Sequence, residues 1–243
     1  MFQTAPCALQ SATVKICHLA IVIPARNEAP SVAGVVRRVR AASTGEVIVV
    51  DDCSTDATAE EARAAGAIVL SLPVQLGAWG ATQTGLRYAI RHGAKSVLTM
   101  DADGQHHADS IAILERAQAS TNADLVIGSA PERLSRPKRL ARLYFRVIAG
   151  LEVRDFTSGF RLYSERAARL LSFRHATLFD YQDLGVLMLL KNYGLSVVEA
   201  KVNMSERNHG MSRVFSSWSH VARYMALTSM VCLARAGRAR RPT

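Results

Sequence analysis

Glu46-Val47-Ile48-Val49-Val50-Asp51-Asp52-Cys53-Ser54-Thr55-Asp56-Ala57-Thr58 is the stretch from which the rest of the chain can be read. Its four consecutive β-branched residues form an apolar run without polar alternation, the mark of a short strand buried on both faces. Two carboxylates close the run, and Ser54, Thr55 and Asp56 then offer capping side chains to a helix that begins near Ala57. The stretch is one strand-loop-helix unit, with its polar residues at the strand's carboxyl end.

The same unit recurs on both sides. Apolar runs at 19–23, 67–70 and 96–100 precede helical patterns at 31–42, 81–92 and 109–119, and 125–127 adds another short strand. This alternation predicts an α/β fold whose mostly parallel sheet is covered by helices on both faces, with ligands at the carboxyl ends of the strands. The polar clusters at 24–28, 51–56 and 101–103 all fall there. Beyond Gly128 the alternation loosens into an Arg-rich stretch, 133–146, and the run Arg154-Asp155-Phe156-Thr157-Ser158-Gly159-Phe160-Arg161-Leu162-Tyr163. A helix over 184–192 and a strand over 195–202 follow. With no internal repeat and no long linker, the pattern predicts one domain over 19–213, a loose lead-in at 1–18 and a separate C-terminal segment at 214–243.

A net charge of +10 and a pI near 10.0 suit an anionic partner. Aromatic residues are only 6% of the chain and do not interleave with the basic runs, which argues against nucleic acid and for phosphate-bearing substrates. Cys7, Cys17, Cys53 and Cys232 form no Cys-x-x-Cys pair, so neither a zinc site nor a disulfide framework is expected, and a reducing, cytoplasmic setting is. No apolar run reaches the roughly 18–20 residues of a spanning helix. Residues 221–234, flanked by Trp218 and by Arg235, Arg238, Arg240 and Arg241, fit an amphipathic helix. Such a helix either lies on the inner membrane face or packs on the core with a solvated tail.

The sharpest chemical signal is Asp101-Ala102-Asp103 at the end of the run 96–100. Two carboxylates at i and i+2 leaving a strand can turn toward one hard divalent cation, and Gln105 can add an amide oxygen. Such a site suits a metal-held diphosphate, the leaving group of nucleotide-sugar chemistry. Adjacent His106 and His107 seldom reach one ion together, so a structural or supporting role is expected for them instead of a zinc site. Asp52 is read as an acid for a base or ribose hydroxyl, because adjacent carboxylates at a strand end need donors to offset their repulsion. The glycine-rich stretch 76–85 fits neither a phosphate loop nor a dinucleotide fingerprint, and reads as a tight turn that lets a helix approach the sheet. Two clusters, Arg154, Ser158 and Arg161, and Arg207, Ser212 and Arg213, combine guanidinium forks with hydroxyls and glycine in a way that suits phosphate.

Taken together, the motifs at 23–28, 49–58, 100–106, 124–129, 157–161 and 206–212 resemble the family 2 glycosyltransferases of GT-A fold, above all their polyprenyl-phosphate (dolichyl-type) sugar transferases. The resemblance implies that Pro24, Glu28 and Asp52 hold the donor's base and ribose. Arg26 joins this donor site where the family commonly has an aromatic residue. It also implies that Asp101, Asp103 and Gln105 bind Mg2+ or Mn2+ with the donor diphosphate, and that Arg154 and Ser158 meet phosphate. Arg207 and Arg213 match a basic pair on an acceptor loop, with Ser212 and Arg161 as further acceptor-phosphate ligands. Ala130 stands where the family has arginine, for which Arg133 is a substitute, and Gly185 stands where it usually has a glutamate. That leaves Asp183 as the acid able to act as a base, beside Asp103 and Arg207 as catalytic candidates.

The implied activity is inverting transfer of a hexose from a nucleotide sugar to a polyprenyl phosphate or a cell-envelope glycan, at the inner membrane face with or without an integral membrane partner. Nucleotidyl transfer is the competing enzyme class, but it favours a Gly-rich basic loop where this chain has Asn27-Glu28. A non-catalytic nucleotide-binding module is the third reading.

Overall fold

The first strand, β1 (Leu19–Ala25), is buried along nearly its whole length and runs through the middle of the sheet. In this computed structural model residues 18–130, 153, 155, 158–173, 176–177 and 184–205 are described. Around β1 lie β2 (Glu46–Asp51), β3 (Ile68–Ser71), β4 (Ser96–Thr99), β5 (Leu125–Ser129), β6 (Arg161–Ser164) and β7 (Val197–Lys201), in the order β3-β2-β1-β4-β6-β5-β7. β1, β2, β3 and β4 are mutually parallel, as the βαβ pattern requires, and β7 is parallel to β5. β6 runs antiparallel between β4 and β5, with Arg161 opposite Thr99 and Ile127.

Period-2 alternation along each strand feeds two cores. Ile21, Ile23, Val47, Val49, Leu98 and Val126 face α1 (Ala29–Ala42), α2 (Thr58–Ala64) and α4 (Ile111–Thr121). Ala20, Val22, Ile48, Val50, Val97, Leu125 and Ile127 face α3 (Gly77–Arg91), α5 (Glu165–Ser172) and α6 (Leu184–Asn192). With apolar side chains on both faces, the strands read in sequence as unbroken hydrophobic runs. The expected α/β fold, a mostly parallel sheet covered by helices on both faces, is the one observed.

Three differences have physical causes. β6 and α5 are not foreseen in the sequence, because a four-residue strand headed by arginine has no periodicity of its own and is defined only by its partners. Arg161, expected to reach acceptor phosphate, is wholly buried at the start of β6, and its Nε donates to the Ser158 carbonyl at 2.8 Å. As placed, it braces the turn that enters β6 and presents nothing to solvent. Thirdly, α3 begins at Gly77, so most of the glycine-rich stretch is helix and not the turn before it. The close approach is real nonetheless: a Cβ on Gly85 would lie 2.3 Å from Val22 Cγ1. The expected lead-in and C-terminal amphipathic helix lie outside the described residues, apart from His18. Among the described residues no helix is long and apolar enough to cross a membrane.

Gly85→Ala therefore forces α3 away from β1. The expected cost is about 1–3 kcal/mol, the usual range for overpacking, read from urea unfolding midpoints.

Candidate active site

The loops leaving β1 and β2 are tied to each other before any ligand is considered. Asn27, at φ 52°, accepts the Thr55 N–H at 2.8 Å through Oδ1 and donates its own N–H to Ser54 Oγ at 3.0 Å. The Glu28 N–H donates to Thr58 Oγ1 at 2.8 Å. Asp56 accepts the Ala29 N–H at the start of α1 at 3.2 Å and the Thr58 N–H at the start of α2 at 3.1 Å, so one carboxylate serves two helix N-termini. Burial pushes the Asp56 carboxyl up, but hydrogen bonds from the Thr58 hydroxyl and from the Ala29 and Thr58 N–H groups outweigh it and hold the group below its ordinary 3.8. The resulting stabilisation is complete above that ordinary value and is lost as the pH falls below it through the depressed one. Pro24, Arg26 and Glu28 are half-buried on this rim.

Asp51 and Asp52 need no ligand to offset their repulsion. Asp51 Oδ1 accepts the Ser54 N–H at 3.1 Å. Asp52 is buried, and its two oxygens accept the N–H groups of Leu76 at 2.6 Å and Gly77 at 2.9 Å. A buried carboxylate at the start of α3 is favoured by the helix dipole as well as by these bonds. The structure thus gives Asp52 a task that the sequence alone had given to a nucleotide.

The acidic pair follows β4. Asp101 keeps 46% of its side chain exposed, and Gly159 lies directly against it: a Cβ there would meet its two carboxylate oxygens at 2.8 and 3.0 Å. Thr99 Oγ1 donates to the Gly159 carbonyl at 2.8 Å, and Ser158 is buried, its Oγ accepting the Phe160 N–H at 3.2 Å. Gly104, at φ 79°, turns the chain so that Asp103 Oδ1 accepts the Gln105 N–H at 3.0 Å. The Gln105 carbonyl then accepts the Ser205 N–H at 2.9 Å, and His106 forms a single antiparallel bridge to Met204. The two imidazoles part company. His106 Nε2 lies 3.3 Å from Asp101 Oδ2, whereas His107 Nε2 lies 2.8 Å from Ser205 Oγ.

Two half-exposed carboxylates and an amide make a hard, all-oxygen donor set, the kind that holds Mg2+ or Mn2+ together with substrate phosphates. Among the described residues no three His, Cys, Asp or Glu side chains gather at one point, so an ion here would draw further oxygens from a ligand or water. Gly159, Phe160 and Thr99 were not singled out in the sequence. Gly159 shows there only as part of an anion-binding turn, because its contact with Asp101 spans 58 residues. Arg154, Asp183, Arg207, Ser212 and Arg213 lie outside the described residues, as does Arg133.

Residues 20–178 match the profile of Glycosyl transferase family 2. The chain belongs to that family. It is therefore a glycosyltransferase, and the nucleotidyl-transfer and non-catalytic readings fall away. The family 2 chain is 30% identical over 210 residues to the undecaprenyl-phosphate mannosyltransferase of Micrococcus luteus, covering 79% of this chain and 86% of that one. It is 26% identical to the UDP-N-acetylglucosamine–dolichyl-phosphate N-acetylglucosaminyltransferase of Methanococcus voltae, over 79% of this chain and 88% of that one. Its fold matches a crystal structure of glucosyl-3-phosphoglycerate synthase from Mycobacterium tuberculosis in complex with Mn2+, uridine-diphosphate-glucose and phosphoglyceric acid. The TM-score is 0.69 at 23% identity, covering 91% of this chain and 80% of that one.

Asp52→Asn puts an amide N–H₂ against one of the two backbone donors. It should destabilise the nucleotide-free protein by about 1–3 kcal/mol, measured by denaturant unfolding.

Proposed function

We propose that this glycosyltransferase moves a hexose from a nucleotide-sugar donor to a polyprenyl phosphate, inverting the anomeric carbon, with Mg2+ or Mn2+ held by Asp101, Asp103 and Gln105. The observation that carries the reading is the seat of Asp101: it is half-exposed on a glycine that leaves room for nothing but its carboxylate, beside the interlocked β1 and β2 loops. When bound, the divalent ion would neutralise charge on the departing nucleoside diphosphate. Pro24, Arg26 and Glu28 would flank the nucleoside from the β1 loop, while Asp52, beside them, keeps the start of α3 in place. Arg154, Ser158, Arg207, Ser212 and Arg213 are the proposed phosphate contacts, since guanidinium forks match phosphate oxygens in two bonds.

Two relatives are named for lipid phosphates that differ in both lipid and sugar, which supports a lipid-phosphate acceptor here more than it supports any one sugar. A phosphate is already an anion at neutral pH and needs no base to become a nucleophile. Gly185, standing where the family usually has a glutamate, fits that acceptor. A glycan hydroxyl would instead need a carboxylate to take its proton, and Asp183 would be that base. A lipid acceptor also requires the site to meet the bilayer, for which residues 214–243 or an integral membrane partner are the proposed means, on the cytoplasmic face.

Transfer to a polyprenyl phosphate from a panel of nucleotide sugars, with Mn2+ and with a chelator, tests the reading. Asp101→Asn and Asp103→Asn should each lower turnover on the order of 10²-fold, and no metal-dependent transfer from any donor would sink the proposal. Asp183→Asn should leave turnover unchanged, whereas a loss of about 10²–10⁴-fold would move the acceptor to a hydroxyl. Gly159→Ala, which displaces the Asp101 carboxylate, should cost on the order of 10²-fold in turnover.

A further inference from the structure

His106 is a buried side chain that touches the acidic pair without a part in the proposed chemistry. Its side chain is 1% exposed, and its ring stacks on Phe160 with centroids 5.0 Å apart and planes 18° from parallel. Phe160 is itself fully buried and pressed onto Gly128, where a Cβ would come within 2.4 Å of its ring. The backbone of His106 is fixed as well, through the bridge to Met204 and the neighbouring bond from the Ser205 N–H to the Gln105 carbonyl. Ring and backbone are thus held from both ends, and the direction of Nε2 is set by packing.

That direction is toward Asp101 Oδ2, at 3.3 Å. An ionised carboxylate only accepts, so Nε2 carries the hydrogen and donates it. In the neutral ring Nδ1 is then a bare acceptor, and in either charge state it is buried and without a hydrogen-bond partner among the described residues. An aromatic hydrocarbon would fill the same space against Phe160 without leaving a buried polar atom unsatisfied. The imidazole is explained by what its other nitrogen does for a carboxylate that keeps 46% of its side chain exposed.

We infer that His106 is a positioning residue: its Nε2–H, clamped between Phe160 and the Met204 bridge, fixes the rotation of the Asp101 carboxylate on Gly159 so that the acidic pair meets a divalent cation pre-aligned. The inference rests on Asp101 being a metal ligand, as proposed above. Partners that orient a ligand in this way typically change metal affinity by about 10–100-fold when removed.

The test is Mn2+ titration of the full chain, with free ion followed by electron paramagnetic resonance. His106→Phe keeps the stack and removes the donor; His106→Gln keeps an N–H near the position of Nε2. Mn2+ binding should weaken about 10–100-fold in His106→Phe and recover most of that loss in His106→Gln. Equal affinity in His106→Phe and the unaltered protein overturns the inference, and so does a Gln variant as weak as the Phe variant, since the ring and not its N–H would then be what matters. Absence of Mn2+ binding by the unaltered protein sinks the proposed metal-dependent function itself, a different result. Ring-nitrogen NMR on the unaltered protein reads the same geometry without any substitution: a hydrogen on Nε2 with Nδ1 bare supports the inference, and the opposite tautomer overturns it even if a variant fails to fold.

Discussion

The 2.8 Å bond from Thr99 Oγ1 to the Gly159 carbonyl closes the end of β4 against the approach to β6, and the acidic site depends on that closure. It exists because β6 is antiparallel to β4. An antiparallel neighbour enters the sheet at the edge where β4 leaves it, so Ser158, Gly159 and Phe160 arrive beside Asp101. A parallel strand would bring its other end, Ser164, to that edge. Glycine is required at the point of contact, since any side chain would fall on the carboxylate oxygens. Phe160, one residue on, supplies the flat surface for His106.

Carboxylates at this edge divide into two kinds. Asp56 and Asp52 are spent on backbone N–H groups at the starts of α1, α2 and α3, where the donors are unsatisfied within the helices and the dipole favours negative charge. Asp56 ties the β1 and β2 loops into one rim, and Asp52 ties the end of β2 to the start of α3. Asp101 and Asp103 keep part of their side chains exposed, although Asp103 also accepts the Gln105 N–H and Asp101 meets His106. In the proposed reaction a divalent cation would stand between these carboxylates and the donor diphosphate and offset their repulsion.

Arginine illustrates how one residue type serves two ends. Arg161 shares its segment with residues that resemble a phosphate-binding turn, yet it is wholly buried and bonded to the Ser158 carbonyl. Its Nε holds the turn whose glycine seats Asp101. The guanidinium therefore bears on the site through the Ser158 backbone.

The βα alternation, the buried strands and the acidic cluster at 101–105 are legible in the chain itself, because periodicity and strand-end chemistry are carried by residues within a few positions of each other. The resemblance to family 2 glycosyltransferases rests on the same local motifs. What only the tertiary structure decided is which of the polar residues at the strand ends are left exposed and which are held by the protein itself. Asp52 turns to a helix start 24 residues away, Arg161 turns inward, and His106 meets Asp101 on a platform completed by Phe160 and Gly128. The Asp52 bonds depend on where α3 starts against the end of β2, and the other two on the order of the strands and the direction of β6. Those are set by contacts between segments distant in sequence, and no short stretch of the chain contains them.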